Sequence, residues 1–300
     1  MTQHTPADPA GQTALVTGAG RRIGAALARA LHGCGANVVI HCRRSRAEAD
    51  ALAAELEAER PGSTRVVAAD LREPAECERL VAAATDAWGG LGIVVNNAST
   101  FYPTPVGTLE PSQFDDLVGS NLRAPAFVAQ AAAPALRAAG GSIVNIADIH
   151  GLRPLDGHAV YCAAKAGLVM LTRALARELA PGVRVNAIAP GSILWPEGPR
   201  GDDPDTRAAV LAATPLERQG TPGDIAAALL YLVRDAGVRH RRGAQRGRRA
   251  GALSRDDAAD PALRARRRAR PRARLPRRRP ARRRAGLLGR RGGGLGRARG

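Results

Sequence analysis

Six short apolar runs, each followed by a stretch with helical periodicity, constrain this chain more than any single motif does. They are Thr13–Gly18 (TALVTG), Asn37–Cys42 (NVVIHC), Thr64–Asp70 (TRVVAAD), Gly92–Ser99 (GIVVNNAS), Gly140–Asp148 (GGSIVNIAD) and Val183–Gly191 (VRVNAIAPG). Their apolar residues are consecutive rather than alternate, so both faces of each strand must be hidden. That is the signature of a parallel sheet covered by helices on either side. The intervening segments read as those helices; RAEADALAAELEAERPG, for example, is amphipathic and stops at Pro61-Gly62. The β-α alternation predicts one doubly wound α/β domain over residues 13–237, preceded by a loose polar leader at 1–12.

The formal net charge of +18 invites a nucleic-acid reading, but its distribution undoes it. Residues 238–300 hold 24 Arg against 3 Asp, whereas the other 237 residues carry a net charge of −3. A faintly acidic body is therefore followed by an arginine-rich tail. Cys34, Cys42, Cys77 and Cys162 show no metal-ligating spacing, so reduced thiols and no metal site are expected. With no signal segment and no apolar run near the ~20 residues that span a bilayer, a cytoplasmic body without a membrane anchor is expected.

In a Rossmann-type sheet ligands bind beyond the carboxyl ends of the strands. Gly18, Asn96, Asp148 and Gly191 all fall just past strand ends, on one edge. The first turn, Gly18-Ala19-Gly20-Arg21-Arg22-Ile23-Gly24, is glycine-rich between strand and helix, where backbone N–H groups and the helix dipole receive a pyrophosphate. An NAD site would place an acid at the end of the second strand. The chain offers His41-Cys42-Arg43-Arg44-Ser45 instead, and cations with a hydroxyl suit the 2′-phosphate of NADPH. Asp70 closes the third strand, either to read an adenine amino group or to cap the next helix.

Tyr161 and Lys165 are spaced i, i+4 and share one helix face. An ammonium beside a phenol stabilises the phenolate, so the expected effect of Lys165 is to lower the Tyr161 pKa. Lys165 is also the only lysine in the chain. The planar, permanently charged guanidinium of Arg would be a poor substitute for its compact ammonium.

Taken together, Thr17-Gly18, Asn96-Asn97-Ala98, Asn121, Tyr161, Lys165 and Pro190-Gly191 resemble the short-chain dehydrogenase/reductase family over roughly residues 12–236. Arg22 stands where a glycine is usual, and Asp148 replaces the usual catalytic Ser, thirteen residues before the Tyr. Both departures resemble the pteridine reductases, as do NNASTFYPTP, DIHGLRPLDGH and PGSILWPEG. The resemblance implies a catalytic set of Asp148, Tyr161, Lys165 and Asn121. It implies NADPH contacts at Thr17, Gly18, Arg22, Ile23, Gly24, His41, Arg44, Ser45, Asp70, Leu71, Asn97, Ala98, Lys165, Pro190 and Gly191. Substrate contacts would come from Arg22, Ser99, Phe101, Asp148, Tyr161 and Trp195, in a homotetramer acting on a pterin or folate. Trp195 either lines the pocket or closes it, and His150 and His158 receive no role.

The chemistry of the residues fits that substrate. A pterin is flat and heteroaromatic and needs a stacking surface, for which Phe101 is suited. Reducing its C=N bonds takes a hydride to carbon and a proton to nitrogen, from Tyr161 or through Asp148. A carboxylate facing the developing alkoxide of a ketone would be electrostatically poor. A carbonyl reductase acting on 3-oxoacyl chains is the alternative within the same fold.

After Asp224–Gly237 such a domain should supply a last strand and a glycine turn. Instead the chain reads VRHRRGAQRGRRAGAL. Back-translated with GC-rich codons and shifted by one base, this segment can spell FVTGxxLNVDGGRxL, so residues 238–300 are expected to be an out-of-frame translation. Taken as written, that tail is expected to be disordered and to bind polyanions without sequence preference, in a chain whose catalysis is then doubtful. No aromatic residue interleaves its arginines to stack on bases.

Overall fold

The computed structural model describes residues 8–195, 203–212 and 214–234. Its strands are β1 (Thr13–Val16), β2 (Asn37–Cys42), β3 (Thr64–Ala68), β4 (Ile93–Asn96), β5 (Ser142–Ile146) and β6 (Arg184–Ile188). They form one parallel sheet in the order β3-β2-β1-β4-β5-β6, with every neighbouring pair in parallel register. The order reverses between β1 and β4, and a crevice opens at such a switch point. The expected doubly wound sheet is therefore present. Five of the strands end two or three residues earlier than the apolar runs suggest, because the final residues leave the pleat to build the crevice.

The helices are α1 (Arg22–Gly33), α2 (Arg46–Glu59), α3 (Pro74–Asp86), α4 (Pro111–Val118), α5 (Ala124–Ala139), α6 (Ala159–Glu178), α7 (Pro204–Ala212) and α8 (Pro222–Arg234). Local chemistry sets their ends. Pro74 and Pro111 occupy first-turn positions of α3 and α4, where the missing N–H costs nothing. Glu110 and Gln113 form a reciprocal capping box at the start of α4. Gly140, in the left-handed region at φ 60°, stops α5. The buried Arg184 of β6 donates to the carbonyls of Leu232 and Val233 and closes the end of α8.

Alternate residues of each strand feed two cores. Val16, Ile40, Val95 and Val144 meet Leu27 and Leu31 of α1 and Leu229 and Leu232 of α8. Leu15, Val39, Val94 and Ile143 meet Leu80 of α3 and Val128 and Leu136 of α5. Each fully buried leucine contributes about 1.5–3 kcal/mol by leaving water.

The twenty-residue α6 contains an 18-residue window with a mean hydropathy of 1.3 and is long and apolar enough to match a membrane span by length and composition alone. Val160, Leu168 and Ala176 are nonetheless buried within the domain, and the helix carries Tyr161 and Lys165. Its apolar character is that of a helix packed on a sheet. The expected arginine-rich tail and last strand at 238–300 lie outside the described residues.

Because Leu136 is wholly buried between α5 and the sheet, Leu136→Ala should lower unfolding stability by about 2–5 kcal/mol. Urea denaturation checks this, and a loss below ~1 kcal/mol would show a site that collapses around the deletion.

Candidate active site

The turn after β1 is fixed before any ligand arrives. The Thr17 Oγ1 accepts from the backbone N–H groups of Asn97 and Ala98 at 2.9 and 3.0 Å. The Asn97 Nδ2 donates back to the carbonyls of Thr17 and Gly18 at 2.9 and 3.0 Å. A Cβ on Gly24 would lie 2.2 Å from the Gly18 carbonyl oxygen and 2.6 Å from Asn97 Nδ2, so only glycine lets α1 approach this closely. Gly18 itself has φ 60° and touches Ala98. Arg22 also sits in the left-handed region, at φ 57°, where glycine is usual. The strain is held at the start of α1, with the guanidinium donating to the Trp195 carbonyl at 3.1 Å.

A cleft of about 460 Å³ opens over this turn. It is lined by Gly18, Arg22, Ile23 and Gly24 of the turn, by Arg43, Arg44 and Ser45 after β2, by Asp70 and Leu71 after β3, and by Asn97, Ala98 and Ser99 after β4. Of the expected cofactor contacts, Gly18, Arg22, Ile23, Gly24, His41, Arg44, Ser45, Asp70, Leu71, Asn97 and Ala98 line the cleft. Thr17 lies outside this lining. The Pro190 carbonyl accepts from Ile149 N–H at 3.0 Å, and Gly191 packs near Ile149, next in sequence to Asp148.

His41 contributes hydrogen bonds rather than charge. Its Nδ1 accepts from Gly18 N–H at 3.0 Å, which leaves the Nε2 proton for the Ala69 carbonyl, also at 3.0 Å. Burial lowers its pKa to about 4, so the ring is neutral and pins the glycine turn. Asp70 is not the cap of α3, whose N-cap is Glu73. Its carboxylate is clasped by Arg72 at 2.5–3.1 Å, which holds its pKa down to about 2.

Asp148 follows β5, and its Oδ1 accepts from His150 N–H at 2.8 Å, capping a short 3-10 turn at Ile149–Gly151. Its other oxygen accepts from the Tyr161 hydroxyl at 2.7 Å. Lys165, one turn further along α6, donates to the Ile146 carbonyl at 3.0 Å and lies 5.8 Å from the Tyr161 ring centre. The three residues expected to carry the chemistry thus meet.

The electrostatics differ from the expectation. Burial and then the Asp148 carboxylate push the Tyr161 phenol well above the usual tyrosine range, with only a Ser99 contact acting the other way. Tyr161 is therefore a neutral donor bonded to a carboxylate, and its pKa is not lowered by Lys165. Burial instead lowers Lys165 itself to about 8.

Asn121 lies in a single π-helical turn, Gly119–Arg123, of the kind that recurs at functional sites. The bulge aims its side chain back: Nδ2 donates to the Thr100 and Leu117 carbonyls at 2.9 Å each, and Oδ1 accepts from Ser99 Oγ at 2.6 Å. Phe101 is 47% exposed, stacks on His158 at 4.7 Å and meets Tyr161 edge-on at 4.8 Å. Trp195 lies outside the cleft lining, with Arg207 of α7 over its ring at 5.4 Å. Sequence reasoning missed His158, Arg72, Asp116 and Ser120. No spacing rule links them, and only folding brings them to the site.

The fold and this edge of polar groups define a nucleotide-binding oxidoreductase domain. The family model described as Enoyl-(Acyl carrier protein) reductase matches residues 18–238, and the chain belongs to the short-chain dehydrogenase/reductase family. The match ends where the arginine-rich segment begins. The chain is 39% identical over 228 residues to Pteridine reductase 1 of Leishmania tarentolae, covering 63% of this chain and 79% of that protein. It is 36% identical over 234 residues to a putative ketoacyl reductase of granaticin polyketide synthesis from Streptomyces violaceoruber, covering 75% and 91%. A crystal structure of a short-chain dehydrogenase from Burkholderia cenocepacia in complex with NADP superposes with a TM-score of 0.71 at 34% identity, covering 77% of this chain and 93% of that one.

The buried lysine generates a pH prediction. In the unfolded chain Lys165 keeps its proton up to about 10.5, and in the cofactor-free fold only to about 8. Between those values the unfolded state binds the extra proton, so stability rises with pH. Relative to Lys165→Met, the wild type should gain about 3 kcal/mol across that window. Denaturation at stepped pH reads the difference, and a constant gap between the two proteins overturns the assignment.

Proposed function

We propose that this NAD(P)-dependent oxidoreductase is an NADPH-dependent pteridine reductase that reduces C=N bonds of a dihydropterin or folate-like substrate. The observation carrying this reading is the 2.7 Å hydrogen bond from Tyr161 to Asp148, at the position where a carbonyl reductase of this family would have Ser. The cleft supports the cofactor: Arg43, Arg44 and Ser45 at the end of β2 suit a 2′-phosphate, and no acid there competes for a ribose hydroxyl. The N-terminus of the twelve-residue α1 and the glycine turn suit the pyrophosphate. When bound, NADPH supplies a hydride to the imine carbon.

The chain's own residues handle the proton and the ring. Phe101 offers an exposed face for a flat heterocycle, braced from behind by His158. The neutral Tyr161 phenol gives its proton to the imine nitrogen, so that C=N becomes CH–NH. Asp148 orients the phenol through its hydrogen bond and, being part-exposed, connects it to solvent for reprotonation. Lys165, still largely an ammonium at neutral pH, offsets the charge that remains on the phenolate. A ketone would instead leave alkoxide character facing the Asp148 carboxylate, which disfavours the 3-oxoacyl reading. A homotetramer acting in the cytoplasm belongs to the same proposal and is supported by the family resemblance.

The test is a panel of dihydrobiopterin, dihydrofolate and acetoacetyl thioesters with NADPH, for wild type and Asp148→Ser. Pterin reduction should dominate in the wild type and fall about 10²-fold or more in the variant. Wild-type turnover of the thioester alone would replace the proposal with the carbonyl reductase reading.

We further infer that residues 238–300 translate a shifted frame. The family match ending at residue 238, where the composition changes, supports this. Resequencing the coding DNA across codons 230–260 should reveal a single-base shift; an intact frame as written overturns the inference.

A further inference from the structure

Three ties run from the loop after β4 to α4 and the π-helical turn that follows it. Ser99 Oγ donates to Asn121, Thr100 Oγ1 lies 2.5 Å from Ser120 Oγ, and the Tyr102 hydroxyl donates to Asp116 Oδ2 at 3.1 Å. This loop carries Phe101, the proposed stacking face. Asp116, near the end of α4, is the outermost of the three anchors, and its side chain is only 19% exposed.

The same carboxylate faces the other end of the cleft. Its Oδ1 accepts from Arg72 Nη1 at 3.0 Å and lies 3.6 Å from Arg43 Nη1. Arg72 is held independently by Asp70. Arg43, which lines the cleft beside Arg44 and Ser45, has the longer and weaker contact. The two ends of the site therefore share one anion.

We propose that Asp116 is a positioning residue that couples the two ends: it competes with the cofactor 2′-phosphate for Arg43, and when released from Arg43 it holds Tyr102 and the Phe101 loop more firmly. A phosphate beside Arg43 draws the guanidinium toward itself. The Asp116 charge is then left to Arg72 and the Tyr102 hydroxyl, and a hydrogen bond to a less compensated carboxylate is stronger. NADP⁺ thus orders the substrate loop, whereas NAD⁺, which has no 2′-phosphate, leaves Arg43 on Asp116. Because coupling is reciprocal, a substrate that orders the loop favours the phosphorylated cofactor. The proposal rests on the NADPH reading above.

The experiment compares the full chain with Asp116→Asn and Tyr102→Phe, using NADP⁺ and NAD⁺ as probes. Calorimetry should show Asp116→Asn binding NADP⁺ about threefold to tenfold more tightly, with NAD⁺ affinity unchanged, because the competing charge is gone. Hydrogen exchange over residues 99–108 should be slower with NADP⁺ than with NAD⁺ in the wild type. That difference should vanish in Tyr102→Phe, which keeps the Arg43 contact and serves equally if the Asp116 variant fails to fold. A variant that shifts both cofactors alike, or a loop difference that survives in Tyr102→Phe, overturns the coupling alone. A wild type with no preference for NADP⁺ overturns the cofactor reading, and the coupling with it.

Discussion

The whole site depends on how closely α1 approaches the end of β1. Gly24 packs so tightly against the Gly18 carbonyl that a single added carbon would overlap it. Thr17 and Asn97 then lock that turn to the end of β4 with four hydrogen bonds. Neutral His41 ties it to β2 and β3. Four strand ends are thereby registered against one helix N-terminus. An anion arriving there meets dipoles that are already oriented, so little reorganisation offsets its binding.

Further along the same edge, desolvation governs the chemistry. Burial raises the phenol of Tyr161 and lowers the ammonium of Lys165, so both pKa values are driven toward their neutral forms. Asp148 reinforces the first shift and opposes the second. The i, i+4 spacing correctly places the lysine under the tyrosine, but spacing is blind to dielectric. Lys165 spends its one described hydrogen bond on the Ile146 carbonyl rather than on the phenol.

Much of the architecture was legible in the chain. Consecutive apolar residues such as Val38, Val39 and Ile40 must bury both faces, and that alone demands a parallel sheet with helices on each side. The i, i+4 spacing paired Tyr161 with Lys165, whereas Asp148 and Asn121 were named through the family resemblance. The neutral state of His41 was not legible, because it depends on burial, which the sequence does not display. The anchors Asp116, Ser120 and His158 stayed hidden for another reason. They come from α4, a π-helical turn and the entry to α6, and only tertiary packing turns them toward the loop after β4.

The solitary lysine has a practical consequence. Its ε-amine is buried near the Tyr161 ring, so an acylating or reductively methylating reagent finds no accessible side-chain amine on the folded chain. Any modification beyond the α-amine therefore requires the active-site region to open. The rate of that single labelling event becomes a clock for local unfolding, read at one residue against a silent background.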